Sequence, residues 1–114
     1  MNKAETVFMN PQYNEAAVNK VNNFNGEDLV TDTYYFKVGQ ILEYHRHPEG
    51  DQVFFVLQGT GNFYLDNGTE ELVEVAPGSI IYVPAGVWHR LDNTGDNEMI
   101  ACQVTKAKAG MEKR

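Results

Sequence analysis

The chain contains three histidines, His45, His47 and His89, and their spacing is suited to metal binding. His45 and His47 lie two residues apart in a strand-like segment, so their side chains should point to the same face. Imidazoles about 7 Å apart on one face can converge on a single ion. His89 follows a Pro-x-Gly turn and begins another strand-like segment. Because imidazole is a common ligand of Zn, Ni, Cu and Fe, this arrangement predicts a transition-metal site.

The elements that must position these histidines are predicted to be short strands. From residue 31 onward, aromatic and β-branched runs alternate with Gly and Pro turns. Asn67-Gly68 is a strong hairpin signal, and Pro77-Gly78 and Pro84-Ala85-Gly86 mark further turns. This pattern, with almost no helix, predicts an all-β sandwich or barrel. The predicted strands cover residues 33–38, 41–47, 52–58, 61–66, 69–75, 79–83, 87–91 and 98–105.

Three segments are predicted: a lead (1–30), a β-barrel (31–105) and a basic tail (106–114). The lead is rich in asparagine, and Asn14 could cap a short helix over Glu15–Val21. Asn25-Gly26 then predicts a turn. Such a lead cannot fold alone, so it must wrap the barrel or a partner subunit. The tail is expected to be frayed and solvated, and the alternative is a basic segment that binds a partner.

Composition narrows the classes of function. The chain has 114 residues and carries 9 Lys+Arg against 16 Asp+Glu, a net charge of −7. Such an acidic surface repels phosphate backbones and anionic lipid heads, so neither nucleic acid nor membrane is an expected partner. The single cysteine, Cys102, excludes a disulfide framework. No apolar run reaches the length of a membrane span, and the first ten residues do not look like a secretory signal. A cytoplasmic protein is therefore predicted.

Two motifs resemble those of single-domain cupins. The first reads Gly39, five residues, His45-Arg46-His47, four residues, Gln52, six residues and Gly59. The second reads Gly78, five residues, Pro84-Ala85-Gly86, two residues, His89, three residues and Asn93. Every fixed position of the second motif matches, and the first departs only where Gln52 replaces glutamate. The resemblance covers residues 39–93, about half of the chain.

The resemblance implies a small antiparallel jelly-roll β-barrel with one divalent transition metal in its mouth. The metal could be Zn, Ni, Fe, Cu or Mn, and the family's ligands map onto His45, His47, Gln52 and His89. The resemblance also suggests a homodimer. The face opposite the metal, with Val53, Phe55 and Trp88, is too apolar for water and is the predicted interface. The alternative is that the lead covers this face.

Gln52 is the departure that matters for metal binding. Counting six residues to Gly59 aligns Gln52 with the family's glutamate, so Asp51 should face the other side of the strand. An amide oxygen can ligate but is neutral, so three imidazoles and an amide leave a 2+ ion with its full charge. We therefore expect this site to bind metal more weakly than a site with three histidines and a glutamate, and to bind an anionic ligand more readily. The Gln52→Glu variant should bind metal more tightly than the wild type. The alternative is that the metal has been lost.

Strand alternation predicts the lining of the pocket. Ile41 and Glu43 should share a face with His45 and His47. Glu43 is thus the candidate catalytic residue, as a general base or a partner of a metal ligand, although it could equally lie at a polar rim. Arg46 and Arg90 fall on the other face, so the pocket should lack a phosphate clamp. That expectation argues against the family's sugar-phosphate isomerases.

The leading functional prediction is a metal-dependent enzyme acting on a small organic molecule, of dioxygenase, decarboxylase or isomerase type. The first alternative is a non-catalytic ligand-binding or sensing cupin whose metal anchors a small acid, so the ligand is a small molecule and could be anionic. The second alternative is a metal-free structural barrel. The fold does not choose among them, because one fold hosts many functions.

Overall fold

Two five-stranded antiparallel sheets form the protein in the computed structural model, which describes residues 4–114. None of the described residues forms a helix, and therefore none forms a helix able to cross a membrane. The strands are β1 (Asn19–Asn25), β2 (Leu29–Phe36), β3 (Ile41–Arg46), β4 (Gln52–Gln58), β5 (Gly61–Asp66), β6 (Glu70–Val75), β7 (Ile80–Val83), β8 (Trp88–Asn93), β9 (Met99–Lys106) and β10 (Glu112–Lys113).

The sheet orders are those of a jelly roll. The first sheet has the order β1-β2-β9-β4-β7, and the second has the order β10-β3-β8-β5-β6. Strands from both halves of the chain occur in each sheet, so each inner face meets side chains from distant parts of the sequence. Between the sheets lies an aromatic core in which Phe54 contacts Tyr34 at 6.1 Å and Phe63 at 5.1 Å between ring centroids. The jelly-roll barrel predicted from the sequence is confirmed.

The predicted helix over Glu15–Val21 is wrong. Asn14 does accept a bond from the backbone N–H of Ala16, at 2.8 Å, but this closes a local turn. The chain then extends into β1, where Asn19 pairs with Tyr35 of β2. The helical signal fails here because sheet pairing outweighs a weak local propensity. The turn at Asn25-Gly26 is present and joins β1 to β2.

The two chain ends are attached to the barrel. Tyr35 donates a hydrogen bond from its hydroxyl to the carbonyl of Val7, and its ring packs edge-on against Tyr13. The lead therefore covers the outer face of the β1–β2 side of the first sheet. At the other end, β10 pairs with β3, and Ala109 is buried. The expectation of a frayed tail is thus wrong, because the chain end completes an edge of the second sheet.

Candidate metal centre

The structure brings the three histidines together at one end of the barrel. His45 on β3 and His89 on β8 are direct cross-strand partners, and His47 follows β3. One ring nitrogen from each lies within 4.8 Å of the others. The turn before His89 fixes this arrangement, because the Gly86 N–H donates to the His47 carbonyl at 2.9 Å. Gly86 has a φ of 81°, a conformation that glycine adopts without strain.

Backbone carbonyls hold the Nδ1 atom of every imidazole. His45 Nδ1 lies 2.9 Å from the Glu43 carbonyl, and His89 Nδ1 lies 3.1 Å from the Val87 carbonyl. His47 Nδ1 lies 2.8 Å from the carbonyl of Gly110 in the tail. A carbonyl can only accept, so each Nδ1 carries the proton and each Nε2 keeps a free lone pair. This is the tautomer that a metal ligand needs.

Burial keeps the three imidazoles neutral. Desolvation lowers the pKa of His45 and of His47, and the Lys20 ammonium lowers both further. Desolvation, followed by the charge of His45, lowers the pKa of His89 to about 3. Neutral imidazoles with free Nε2 atoms are ready to bind a cation.

Gln52 lies on the inner face of the first sheet, opposite the histidines of the second sheet, and its side chain is buried. It is 2% exposed and lies two residues before Phe54, whose ring is 5.7 Å from that of His89. Its amide nitrogen donates to Gln103 Oε1 at 2.7 Å and to Thr105 Oγ1 at 3.1 Å. Its Oε1 is buried without a partner, as are the Nε2 atoms of His47 and His89. Unpaired buried acceptors are costly, and a cation held by the histidines would satisfy the two Nε2 atoms.

A β-bulge changes the lining expected around Glu43. The β3–β8 register shifts between Leu42 and His45, which breaks the alternation. Leu42 packs against the core, whereas Ile41 is exposed, so the expectation for Ile41 is wrong. The Glu43 side chain is exposed, and its charge helps to raise the pKa of Arg90 on the outer face. The general-base role of Glu43 stays a prediction.

Asp51 faces away from the centre, as predicted. Its carboxylate accepts a bond from the Ala85 N–H at 2.7 Å and another from the Tyr82 hydroxyl. Those two bonds lower the pKa of the Asp51 carboxyl, the tyrosine bond being the larger cause. Asp51 therefore braces the Pro84–Gly86 turn that carries His89.

A cavity of about 480 Å³ opens beside His45 and His47. Lys20 on β1 and Lys113 on β10 line it, whereas the Arg114 guanidinium lies on the outer face of the second sheet, paired with Asp66 at 2.7 Å and stacked over Tyr44. The prediction of a pocket without a phosphate clamp rested on Arg46 and Arg90 and took no account of Lys20 and Lys113. Motif spacing could not reveal these residues, because they reach the site only through the pairing of β1 with β2 and of β10 with β3.

Arg46 and Arg90 lie outside the site, as predicted. Arg46 stacks over the Trp88 ring at 4.4 Å, and Arg90 pairs with Asp92 at 2.7 Å. Trp88 therefore belongs to the outer face of the second sheet. Val53 and Phe55 lie on the first sheet, so these three residues do not form one face as expected.

Comparisons with known proteins agree with this geometry. The chain is 38% identical over 69 residues to a glucose-6-phosphate isomerase of Thermococcus litoralis, covering 59% of this chain but 36% of that protein. A double-stranded β-helix protein of Klebsiella pneumoniae superposes with a TM-score of 0.90 at 20% identity, over 98% of this chain and 96% of that one. A recombinant oxalate oxidase in complex with glycolate superposes with a TM-score of 0.71 at 18% identity, over 75% of this chain and 45% of that one.

At these identities the two structural likenesses concern the fold. The family description "Cupin domain" matches residues 33–104, which include both motifs and all three histidines. Because that match covers more than half of the chain and agrees with the jelly-roll sheets and the histidine cluster, the chain belongs to the cupin family.

Proposed function

We propose that this protein is a metal-dependent enzyme that acts on a small organic anion. The observation that carries the proposal is the convergence of three neutral imidazoles beside a cavity bordered by cations. His45, His47 and His89 would hold the metal, and the unpaired oxygen of Gln52 fits a fourth ligand. Imidazole nitrogen suits Zn, Ni, Cu or Fe better than Mg or Ca, and Mn stays a candidate because it also accepts oxygen ligands.

The chain's own residues would bind and orient the substrate. When bound, the metal would supply a Lewis acid and, as Fe, Cu or Mn, a redox centre. Lys20 would attract a carboxylate or phosphate, since it already acts electrostatically on His45 and His47. Leu42 and Tyr34 form the apolar side of the cavity and would exclude water from the substrate.

The substrate class follows from charge and from the relatives' names. The isomerase relatives act on a sugar phosphate by name, and the oxalate oxidase holds glycolate, a small carboxylate. Both are anions, and a ligand set without a carboxylate leaves the metal its full charge for an anion. Because the chain spans 36% of the Thermococcus litoralis isomerase, that enzyme's activity is only a candidate for this protein. Decarboxylation, dioxygenation and isomerisation remain the reaction types proposed.

A non-catalytic binding protein is the second candidate function. Among the described residues that line the cavity, Glu43 supplies the only side-chain carboxylate, and its charge interacts with Arg90. The cavity therefore offers one exposed side-chain carboxylate as a candidate general base. A non-catalytic protein would use the metal and Lys20 to hold a small acid. Glu43→Gln tests the role of this carboxylate: a loss of turnover with metal affinity unchanged would identify an enzyme in which Glu43 is the base.

Elemental analysis followed by ligand titration tests the proposal. The purified protein should hold close to one transition-metal ion per chain, and a variant with all three histidines changed to alanine should hold none. Glycolate and glucose 6-phosphate should then bind the metal-loaded protein and not the variant, by calorimetry. Turnover of a bound anion identifies an enzyme, whereas binding without turnover identifies the second candidate. Equal metal content in both proteins would contradict the metal site.

We also keep the homodimer as a proposal, on a revised face. Val53 and Phe55 pair with Tyr82 and Ile80 of β7, which are 56% and 67% exposed. This row on the outer face of the first sheet is left uncovered by the described part of the lead. A second copy would bury it, and Ile80→Lys should then give a monomer by sedimentation. The cytoplasmic location is likewise a proposal, tested by cell fractionation.

A further inference from the structure

A chain of buried polar side chains crosses the inner face of the first sheet and ends at Gln52. Asp32 is 3% exposed, Gln103 is 1% exposed and Gln52 is 2% exposed. Gln103 Nε2 donates to Asp32 Oδ2 at 2.9 Å, and Gln52 Nε2 donates to Gln103 Oε1 at 2.7 Å. Asp32 and Gln103 are direct partners across β2 and β9, so the first link is fixed by strand register.

The direction of this chain is set at Asp32. A carboxylate can only accept, so Gln103 must turn its NH₂ group toward Asp32 and its oxygen toward Gln52. Gln52 must then turn its NH₂ group toward Gln103, which leaves its oxygen without a partner in the structure. Asn22 donates to Asp32 Oδ1 at 3.0 Å, and Lys20 lies 3.9 Å from Oδ2, so Asp32 is surrounded by groups that suit an acceptor.

We propose that Asp32 acts through Gln103 as a positioning residue for Gln52, turning the Gln52 oxygen toward the histidines and disfavouring a carboxylate at residue 52. A glutamate there would set one carboxylate oxygen against Gln103 Oε1, two acceptors facing each other, and the Thr105 hydroxyl would be the donor left on that side. In this chain the negative charge nearest to the site on this sheet would therefore come from Asp32 instead of from a glutamate at residue 52. Asp32 interacts electrostatically with His47. The direction of the hydrogen-bonded chain does not depend on the proposed metal site. The role of the Gln52 oxygen as a ligand does rest on it.

A double-mutant cycle tests the direction of the chain without any metal. In metal-free protein at pH 8, Gln52→Glu should lower the melting temperature by about 5 °C or more, because two acceptors then meet in the core. Adding Asp32→Asn should restore most of that loss, since the new amide group can donate and let Gln103 reverse. If Gln52→Glu does not fold, recovery of folding in the double variant is the expected result. No coupling between the two changes would overturn the proposal.

Metal affinity tests the positioning role. Asp32→Asn should weaken Co²⁺ binding about 10- to 100-fold, as for other residues that orient metal ligands, because Gln52 is then free to turn its NH₂ group inward. Asp92→Asn removes the same charge from the outer face of the second sheet, where Asp92 binds Arg90, and should change affinity less than about twofold. The double variant should bind Co²⁺ more tightly than Gln52→Glu alone, because its carboxylate is unopposed.

The outcomes separate the two proposals. If neither the wild type nor any variant binds Co²⁺ but the stability coupling is present, the metal site is wrong and the direction of the chain is right. If Co²⁺ binds and Asp32→Asn behaves like Asp92→Asn, the metal site is right and the positioning role is wrong. The expectation from the sequence that Gln52→Glu alone tightens metal binding would also be met in that case.

Discussion

The central segment with the two motifs and the two chain ends supply the same site by different means. In the centre, His45 and His89 each bond to the carbonyl two residues earlier in the chain. The orientation of these rings is therefore a local property of their strands. His47 instead bonds to Gly110, 63 residues away, so its orientation depends on the tail.

Charge shows the same difference between the two regions. The centre would provide neutral groups to an ion, whereas Lys20 and Lys113 from the two chain ends provide cations at the cavity. The motifs would thus give the site its metal, and the ends would give it a preference for anions. A cupin with the same motifs and other ends should keep the metal and take other ligands.

The largest expected effect comes from the centre. His89→Ala should reduce Co²⁺ or Zn²⁺ affinity by more than about 100-fold, because it removes a ligand rather than a residue that orients one. His89 also packs on Phe54 and Phe63, so the metal-free protein should lose about 1–3 kcal/mol of unfolding free energy. Competition with a chromogenic chelator and denaturant unfolding measure the two quantities. Affinity equal to that of wild type would remove His89 from the site.

Deleting residues 109–114 tests the contribution of the tail. The deletion removes the Gly110 carbonyl from His47 and should weaken metal binding about 10- to 100-fold. The matched control is Lys113→Gln in the full-length chain, which keeps the backbone and the Arg114–Asp66 pair and should retain affinity within about twofold. If the deletion binds metal as tightly as the control, local structure alone orients His47.

The strands and the histidine cluster could be predicted because their signals are local. Alternation and turn residues predicted β3 to β9 within a few residues, and the spacing of His45 and His47 placed both on one face. Asn67-Gly68 predicted the β5–β6 hairpin, where Gly68 has a φ of 98°. Such signals need only a few neighbouring residues.

The remaining features depend on contacts that are distant in the sequence. β1 and β10 carry no strong strand pattern and are held by pairing with β2 and β3. The bulge at Leu42 could not be predicted from alternation, because that rule assumes a regular strand. The amide chain from Asp32 joins residues 71 apart along the sequence, and no spacing rule connects them.

Stability against acid should report the buried histidines of the centre. Burial lowers the pKa of His45, His47 and His89 in the folded protein. Below pH 6.5 the unfolded chain therefore binds more protons at these histidines than the folded protein does, and this difference favours unfolding. Stability is therefore full above pH 6.5 and falls as the pH falls toward 3. With a His89 pKa of about 3, this residue alone should lower the free energy of unfolding by about 2 kcal/mol at pH 5 relative to neutral pH.

Denaturant unfolding of chelator-treated protein at pH 7 and pH 5 measures this loss. The tail-deleted protein should show a shallower pH dependence, because desolvation is the larger cause acting on the His47 pKa, and its relief raises that pKa by more than loss of the Gly110 bond lowers it. His89→Ala should remove most of the loss. Unfolding free energies that match at the two pH values in wild type would show that the three rings are not held neutral.

The smallest expected effect belongs to Lys20, because its ammonium is half-exposed and solvent screens it. Lys20→Gln should weaken glycolate binding to the metal-loaded protein about two- to fivefold, with metal affinity unchanged, and Lys20→Arg should retain binding. Lys106→Gln is the control, since Lys106 lies at the end of β9 away from the cavity. The difference should vanish in about 1 M salt, where the Debye length is near 3 Å. Equal losses in both variants would mean that net charge, rather than the placement of Lys20 on β1, selects anions.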